Sequence, residues 1–177
     1  MLNGGAGDDT FVVSQQVDWV FENPGEGHAL VIARSPNGYY LYANIEDLVL
    51  DGTTPFGVGN TLDNLLIGNA IGNWLLGGAG NDTLDGAGGN DVLFGQDGAD
   101  RFVVHAGGGT DIIGDFTPGS DILLLQGYAA VQDFAALSAR AHQNGSDVAL
   151  DLGGGEVLVL QSVQWATLSA QDVLFQT

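Results

Sequence analysis

Residues 59–103 form five consecutive blocks of nine residues, GNTLDNLLI, GNAIGNWLL, GGAGNDTLD, GAGGNDVLF and GQDGADRFV. Position 1 of each block is glycine, position 6 is Asn64, Asn73, Asp82, Asp91 or Asp100, and position 8 is Leu66, Leu75, Leu84, Leu93 or Phe102. One apolar residue and one carboxylate or amide in every nine is typical of a repeating turn and short strand. The period therefore predicts a solenoid rather than a helix or an ordinary globular domain.

The geometry of one block follows from its residue types. Its last three residues, such as 83–85, can form a short strand whose middle side chain points inward. Gly77, Gly78 and Gly80 permit the positive φ angles that a tight turn needs. Two blocks would complete one turn of a flattened coil. Each block then stacks on the next but one, so that Asp82 lies between Asn64 and Asp100.

Stacked carboxylates repel one another unless a cation lies between them. Ca²⁺ takes about 6–8 oxygen ligands from carboxylates and backbone carbonyls, whereas Mg²⁺ requires a tight octahedron and retains its waters. The sequence therefore predicts several Ca²⁺ ions in the turns.

The block GGAGNDTLD, residues 77–85, resembles the G-G-x-G-x-D-x-U-x nonapeptide of the RTX (repeats-in-toxin) family, whose repeats bind Ca²⁺. The resemblance implies an all-β parallel β-roll, a Ca²⁺-binding β-solenoid, with a small C-terminal cap of strands and one helix. We expect full sites where Asp82 meets Asp100 and Asp91 meets Asp111. Where Asn64 or Asn73 replaces an acid, we expect poorer sites. The implied metal-ligating residues are Asp9, Asp18, Asn64, Asn73, Asp82, Asp91, Asp100, Asp111 and Asp115, with Gly77, Gly78, Gly80, Gly86, Gly89, Gly95, Gly98 and Gly108.

Three regions are expected. Residues 1–58 are a degenerate repeat segment that continues the roll, opening with the good nonapeptide GGAGDDTFV at 4–12 and containing a hairpin around Asn37-Gly38. Residues 59–115 are the regular roll. Residues 116–177 are the cap, in which we predict a helix over 131–142, ended by Asn144-Gly145, and a hairpin of 148–151 with 156–160.

The C-terminal region carries two further resemblances. The stretch DFTPGSDILL, residues 115–124, resembles the segment that closes the roll in serralysin-type C-terminal regions. Residues 169–175 resemble the uncleaved signal of type I secretion. The resemblance thus implies the C-terminal part of a larger secreted, extracellular bacterial protein, with the type I secretion apparatus and an upstream domain of the same polypeptide as partners.

Composition excludes several classes of protein. The chain has 3 basic and 22 acidic residues, a formal charge of −19 and no cysteine. It should repel nucleic acid and anionic membranes, and no apolar run reaches the length of a membrane span. A hydrophobic content of 45 % argues against permanent disorder. We therefore expect a chain that folds when Ca²⁺ neutralises it.

Outward positions on one side of the roll form an apolar stripe: Trp74, Leu76, Val92, Phe94 and Ile112. We expect the helix at 131–142 or the N-terminal segment to cover it. The alternative is a docking face for another domain, or for a sugar stacked on Trp74.

No catalytic motif is found. The three histidines lack triad or metal-ligand spacing, and neither GxSxG nor HExxH occurs. Four scattered glutamates are expected to be solvated: Glu22, Glu26, Glu46 and Glu156. The expected function is a non-catalytic Ca²⁺-binding domain. The alternatives are an accessory polysaccharide-binding module or a structural segment of an adhesin or surface-layer protein.

Overall fold

The computed structural model describes residues 1–177 and contains two eight-stranded sheets. Strands are numbered in chain order. The first sheet consists of β2 (Thr10–Val13), β4 (Leu30–Ala33), β6 (Asp47–Leu50), β8 (Leu65–Ile67), β10 (Thr83–Asp85), β12 (Arg101–His105), β14 (Ile122–Gln126) and β18 (Val173–Gln176). The second sheet consists of β5 (Tyr39–Tyr40), β7 (Phe56–Val58), β9 (Trp74–Ala79), β11 (Val92–Asp97), β13 (Asp111–Ile113), β17 (Glu156–Leu160), β16 (Asp147–Gly153) and β15 (Ala141–Asn144).

The chain alternates between the two sheets and stacks on itself in parallel, which makes a β-solenoid. Leu84 in β10 pairs with Leu66 in β8 on one side and with Phe102 in β12 on the other. Both partners are eighteen residues away, so two blocks complete one turn. The predicted parallel β-roll is confirmed.

The core lies between the sheets. The position-8 side chains are almost fully buried: Leu66, Leu75, Leu84, Leu93 and Phe102. They belong to a single cluster of 32 buried apolar residues that reaches from Phe11 to Val173. Alternation of side chains along each strand leaves positions 7 and 9 on the outer faces.

The N-terminal segment continues the roll in parallel strands. β2 pairs with β4, β4 with β6 and β6 with β8. The hairpin predicted around Asn37-Gly38 is therefore wrong, because the turn there carries the chain from the first sheet to β5 in the second. A separate two-stranded sheet, β1 (Leu2–Asn3) with β3 (Val20–Phe21), lies at this end.

The C-terminal cap closes both sheets. β18 pairs with β14 at the end of the first sheet, and β17 joins the second sheet in parallel on β13. β16 and β15 follow in antiparallel order, which confirms the hairpin of 148–151 with 156–160.

The predicted helix over 131–142 is too long. Helix α1 spans only Phe134–Ser138, capped by the Asp133 carboxylate, which accepts a hydrogen bond from the backbone of Ala136. Residues 141–144 instead form β15. Asn144 pairs with Asp147 in the hairpin, and Gly145 takes the first central position of the turn with φ +65°. The Asn-Gly pair thus turns a hairpin rather than ending a helix. With five residues, α1 is far too short to cross a membrane.

The apolar stripe on the second sheet is not covered at Trp74, which lies on β9 at the edge of the stripe. Trp74 is 56 % exposed, so the expectation that the chain's own helix or N-terminal segment would bury it is wrong. Helix α1 packs beside β16, where Phe134 stacks on Trp165 at 5.3 Å between ring centroids. The other four residues of the stripe are partly buried by their neighbours in the sheet.

Candidate calcium-binding turns

The position-6 side chains form two buried columns. The column beside the first sheet is Asn64, Asp82, Asp100 and Asp121, and the column beside the second sheet is Asn73, Asp91 and Asp111. Within each column, the backbone N–H of one residue donates to the carboxylate of the next. The N–O distance is 2.8 Å from Asp82 to Asp100 and 3.0 Å from Asp91 to Asp111. This ladder orients every carboxylate identically.

In Asp82, Asp91 and Asp100 the second oxygen faces the glycine at position 1 of the same block, whereas Oδ2 of Asp121 accepts a hydrogen bond from the backbone of Thr117. A Cβ on Gly77, Gly86 or Gly95 would overlap Oδ2 of the aspartate five residues later. These three glycines do not have positive φ, whereas Gly78 and Gly80 do, each at +119°. Position 1 is glycine because the carboxylate approaches its Cα closely, and positions 2 and 4 because the turn requires left-handed backbone.

These carboxylates are buried without a protein cation beside them. Oδ2 of Asp82 is inaccessible and has no hydrogen-bond partner. Burial, followed by the charges of neighbouring acids, raises the pKa of Asp82 to about 6 and that of Asp91 to about 7. The pKa values of Asp100, Asp111 and Asp121 are also raised, again mainly by burial.

The two asparagine blocks differ because the side-chain amides of Asn64 and Asn73 are hydrogen-bonded within the protein. Nδ2 of Asn64 donates to the carbonyls of Ile45 and Glu46, at 3.0 Å each, and its Oδ1 accepts from the backbone of Asn60. Asn73 likewise donates to the carbonyl of Thr54 at 2.9 Å. The amide group thus supplies a donor to the preceding turn. An aspartate there would have only acceptors to offer and would need a cation.

The remaining predicted ligands differ in their hydrogen bonds and backbone conformation. Asp115 accepts from the backbone of Gly95 and Gln96. Asp18 accepts from Ser14 and Gln15, so it caps a turn rather than joining a column. Gly89 and Gly98 have positive φ. A Cβ on Gly108 would press against the carbonyl of His105, 2.8 Å away.

Sequence reasoning missed several acids that the fold buries or engages, including Asp172, which is buried and accepts from the backbone of Gly119. Asp121 extends the first column, and its place in DFTPGSD was the available signal. Glu46, expected to be solvated, accepts from the backbone of Ala29 at 2.8 Å, as an aspartate of the column would. Glu22, also expected to be solvated, is buried at 4 % exposure. No local sequence signal marks Glu22.

The donor set fits Ca²⁺. Nowhere do three or more Asp, Glu, His or Cys side chains converge as a metal-binding group. Any ion would therefore take one or two carboxylates and complete its shell with backbone carbonyls and water, as hard oxygen-binding cations do. Arg34 and Arg140 pair with Asp51 and Asp151, away from the columns.

Comparison with known proteins gives the same answer. A family model described as the RTX calcium-binding nonapeptide repeat, in 4 copies, matches residues 1–20 and 67–102. The chain carries RTX repeats. The matched ranges contain the block at 4–12, the Asn73 block and the blocks of Asp82, Asp91 and Asp100 as far as Phe102, and they leave all but Ile67 of the Asn64 block outside.

Two relatives align with almost the whole chain. They are the endo-1,3-1,4-beta-glycanases ExsH and EglC of Rhizobium meliloti, each 37 % identical over 98 % and 96 % of this chain. The chain spans only 36 % and 34 % of their lengths. Among solved structures, the extracellular lipase LipA of Serratia marcescens is similar over 97 % of this chain and 37 % of its own, with 15 % identity and a TM-score of 0.49. A likeness at that level adds nothing to the strand pairing already described.

A pair of alanine substitutions in one RTX turn tests the reason for glycine at position 1. Gly86→Ala forces the Asp91 carboxylate to move, so we expect it to raise the Ca²⁺ concentration needed for half-maximal folding several-fold. Gly88→Ala is the control, because its Cβ meets nothing closer than 3.8 Å and its φ is not positive. Circular dichroism during Ca²⁺ titration measures both. Equal effects of the two substitutions would contradict the close-approach explanation.

The raised pKa values of the aspartates predict opposite pH responses with and without Ca²⁺. The metal-free fold holds protons on Asp82 and Asp91 that the unfolded chain releases, so its stability is present at acid pH and is lost as pH rises through about 6 to 7. In chelator, lowering the pH from about 8 to about 5 should increase the β signal. Because Ca²⁺ must displace those protons, the Ca²⁺ concentration for half-maximal folding should rise over the same interval. A midpoint that does not change with pH would contradict this account.

Proposed function

We propose that this chain is a folding domain whose stability depends on Ca²⁺. The observation that carries the proposal is the pair of buried carboxylate columns, which contain an unpartnered oxygen on Asp82 and form no ion pair with an arginine. Buried like charges at this spacing destabilise the fold unless they are protonated or bound to metal. At neutral pH, a bound cation would offset the repulsion between these carboxylates.

The strongest proposed sites use acid paired with acid. Asp82 with Asp100 and Asp91 with Asp111 would each supply side-chain oxygens, and turn carbonyls would complete the shell. Asn64 and Asn73 would contribute little, because their side chains are already hydrogen-bonded within the protein. An ion at 100-fold its dissociation constant adds about 2.7 kcal/mol. Several ions together would therefore match the whole stability of a typical domain, about 5–15 kcal/mol.

Folding that depends on Ca²⁺ would suit a protein that leaves a bacterial cell unfolded. At low Ca²⁺ the charge of −19 would keep the chain open, and the higher Ca²⁺ outside the cell would fold it. The cap offers a closed end on which successive turns can stack, since each repeat stabilises its neighbour. We infer a non-catalytic, extracellular RTX domain of a larger protein, exported by a type I apparatus. The names of the curated relatives and the small share of their length that the chain spans support such a context.

A titration with a matched pair of variants tests the proposal. The metal-free chain should show little β signal by circular dichroism, gain it cooperatively with Ca²⁺, and gain much less with Mg²⁺. Asp82→Asn should raise the Ca²⁺ midpoint and lower the number of bound ions measured by calorimetry. Asp63→Asn should leave the number of bound ions unchanged and shift the midpoint less, because Asp63 is exposed, acts on Asp82 only through its charge, and is replaced by an amide whose oxygen still accepts from the backbone of Asn81.

Asp82→Asn and Asp63→Asn each remove one negative charge. A difference between their effects therefore reports the position of the charge rather than the net charge of the chain. If both shifted the midpoint equally, bulk neutralisation rather than column position would explain the response. A chain already fully folded in chelator would overturn the folding mechanism.

A second candidate function is the holding of polysaccharide beside an upstream domain. It is favoured by the exposure of Trp74, which lies between Phe56 and Val92 on the flat outer face of the second sheet. An exposed aromatic ring on such a face can stack against a sugar. The names of the two relatives specify 1,3-1,4-linked β-glycans, so a 1,3-1,4-linked β-glucan is a suitable probe ligand.

Affinity electrophoresis in gels that contain this glucan and Ca²⁺ tests the second candidate. Trp74→Ala should weaken retardation of the protein about threefold to tenfold, the loss of one aromatic stacking contact. Trp19→Ala is the control, since Trp19 is similarly exposed at 59 % but lies at the N-terminal end. Migration of the unmodified protein that is the same with and without glucan would eliminate this function.

A further inference from the structure

Two buried carboxylate oxygens without partners meet at the N-terminal turn. Oδ2 of Asp9 and Oε1 of Glu22 are both inaccessible to solvent and accept no hydrogen bond. Both face the same side of Gly4, where a Cβ would overlap either oxygen. Glu22 as a whole is only 4 % exposed. The two acids thus point into one small space from different turns.

Strand pairing explains how they come together. Leu2 and Asn3 of β1 pair with Val20 and Phe21 of β3, which carries Glu22 to the level of Gly4. On the other side of the turn, the pairing of Thr10 with Leu30 sets Ala29 opposite Asp9. Asp9 therefore lacks the stacked acid that the later turns provide. Glu22 supplies a carboxylate instead. It lies at the level of Gly4, which is position 1 of the block at 4–12, rather than at the level of position 6.

No protein group neutralises this pair. His28 bonds to Asp47 at 2.9 Å, and Arg34 bonds to Asp51. Glu26, the acid next nearest in the turn, accepts from both nitrogens of Asn23. The pKa of Glu22 is raised by burial first, then by the charges of Asp9 and Glu26. Two facing acids of this kind must share a proton or bind a cation.

We propose that Asp9 and Glu22 bind a further divalent cation of the Ca²⁺ class, at a site built differently from the position-6 pairs. Each acid contributes its unpartnered oxygen. The exposed turn at 5–7 leaves room for carbonyl and water ligands, which such ions accept readily. The ion ties the β1–β3 sheet to the turn that begins β2, so it secures the N-terminal end of the solenoid.

Calorimetric counting of bound Ca²⁺ on the full chain tests this site. Glu22→Gln should lower the stoichiometry by one ion and leave the Ca²⁺-induced β signal largely intact, because the C-terminal columns are untouched. Glu26→Gln makes the same charge change in the same turn and should leave the stoichiometry unchanged. Hydrogen exchange adds a local measurement. Ca²⁺ should protect amides in 2–10 and 20–28 of the unmodified chain, and Glu22→Gln should lose that protection at least tenfold.

Three outcomes separate the alternatives. An unchanged ion count in Glu22→Gln, in a protein that still folds with Ca²⁺, overturns this site and leaves the proposed function standing. Absence of any bound Ca²⁺ in the unmodified chain overturns both. If Glu22→Gln does not fold, Asp9→Asn removes the opposite ligand at constant size. It must then show the same loss of one ion and of local protection, or the site is rejected.

Discussion

The fold depends on how each buried carboxylate divides its two oxygens. One oxygen accepts the backbone N–H of the preceding turn, as between Asp82 and Asp100 at 2.8 Å. That hydrogen bond fixes the register between the two stacked blocks, because it forms only when their position-6 residues are aligned. In Asp82, Asp91 and Asp100 the other oxygen is held against the glycine at position 1. The arrangement that aligns the turns is therefore the arrangement that concentrates negative charge, and folding and ion binding become one equilibrium.

Asparagine and aspartate divide the roll into two kinds of turn. Asn64 and Asn73 close their turns with donated hydrogen bonds and keep the stack together without outside help. The acids at 82, 91, 100 and 111 have no donor to offer, and their burial raises the pKa of each. A chain with only amide turns would stay folded in any medium, and one with only acidic turns would repel itself throughout. This chain joins two turns whose amides are hydrogen-bonded within the protein to a longer set of turns whose acids need an ion.

Much of this could be read from the sequence, because the nine-residue period is a local pattern with one stacking solution. The position-8 core and the pairing of Asp82 with Asp100 followed directly. The errors came where partners are distant in sequence. The spacing of apolar residues predicts a helix over 131–142, yet pairing with β16 places Ala141–Asn144 in strand β15. Glu22 looks solvated until β1 pairs with β3 and buries it. Exposure of Trp74 likewise depends on where the cap docks.

From β4 to β14, successive strands belong alternately to the first and the second sheet. The cap is asymmetric: β14 and β18 end the first sheet, whereas β17 with its antiparallel partners ends the second. Loss or gain of one nine-residue block would send every later strand to the opposite sheet and present the cap with the wrong partners. Loss or gain of eighteen would leave all pairings unchanged. Strand order therefore permits the gain or loss of whole strands only in pairs, whereas the turns themselves absorb single residues, as the spacings of 17, 20 and 21 residues between paired strands show.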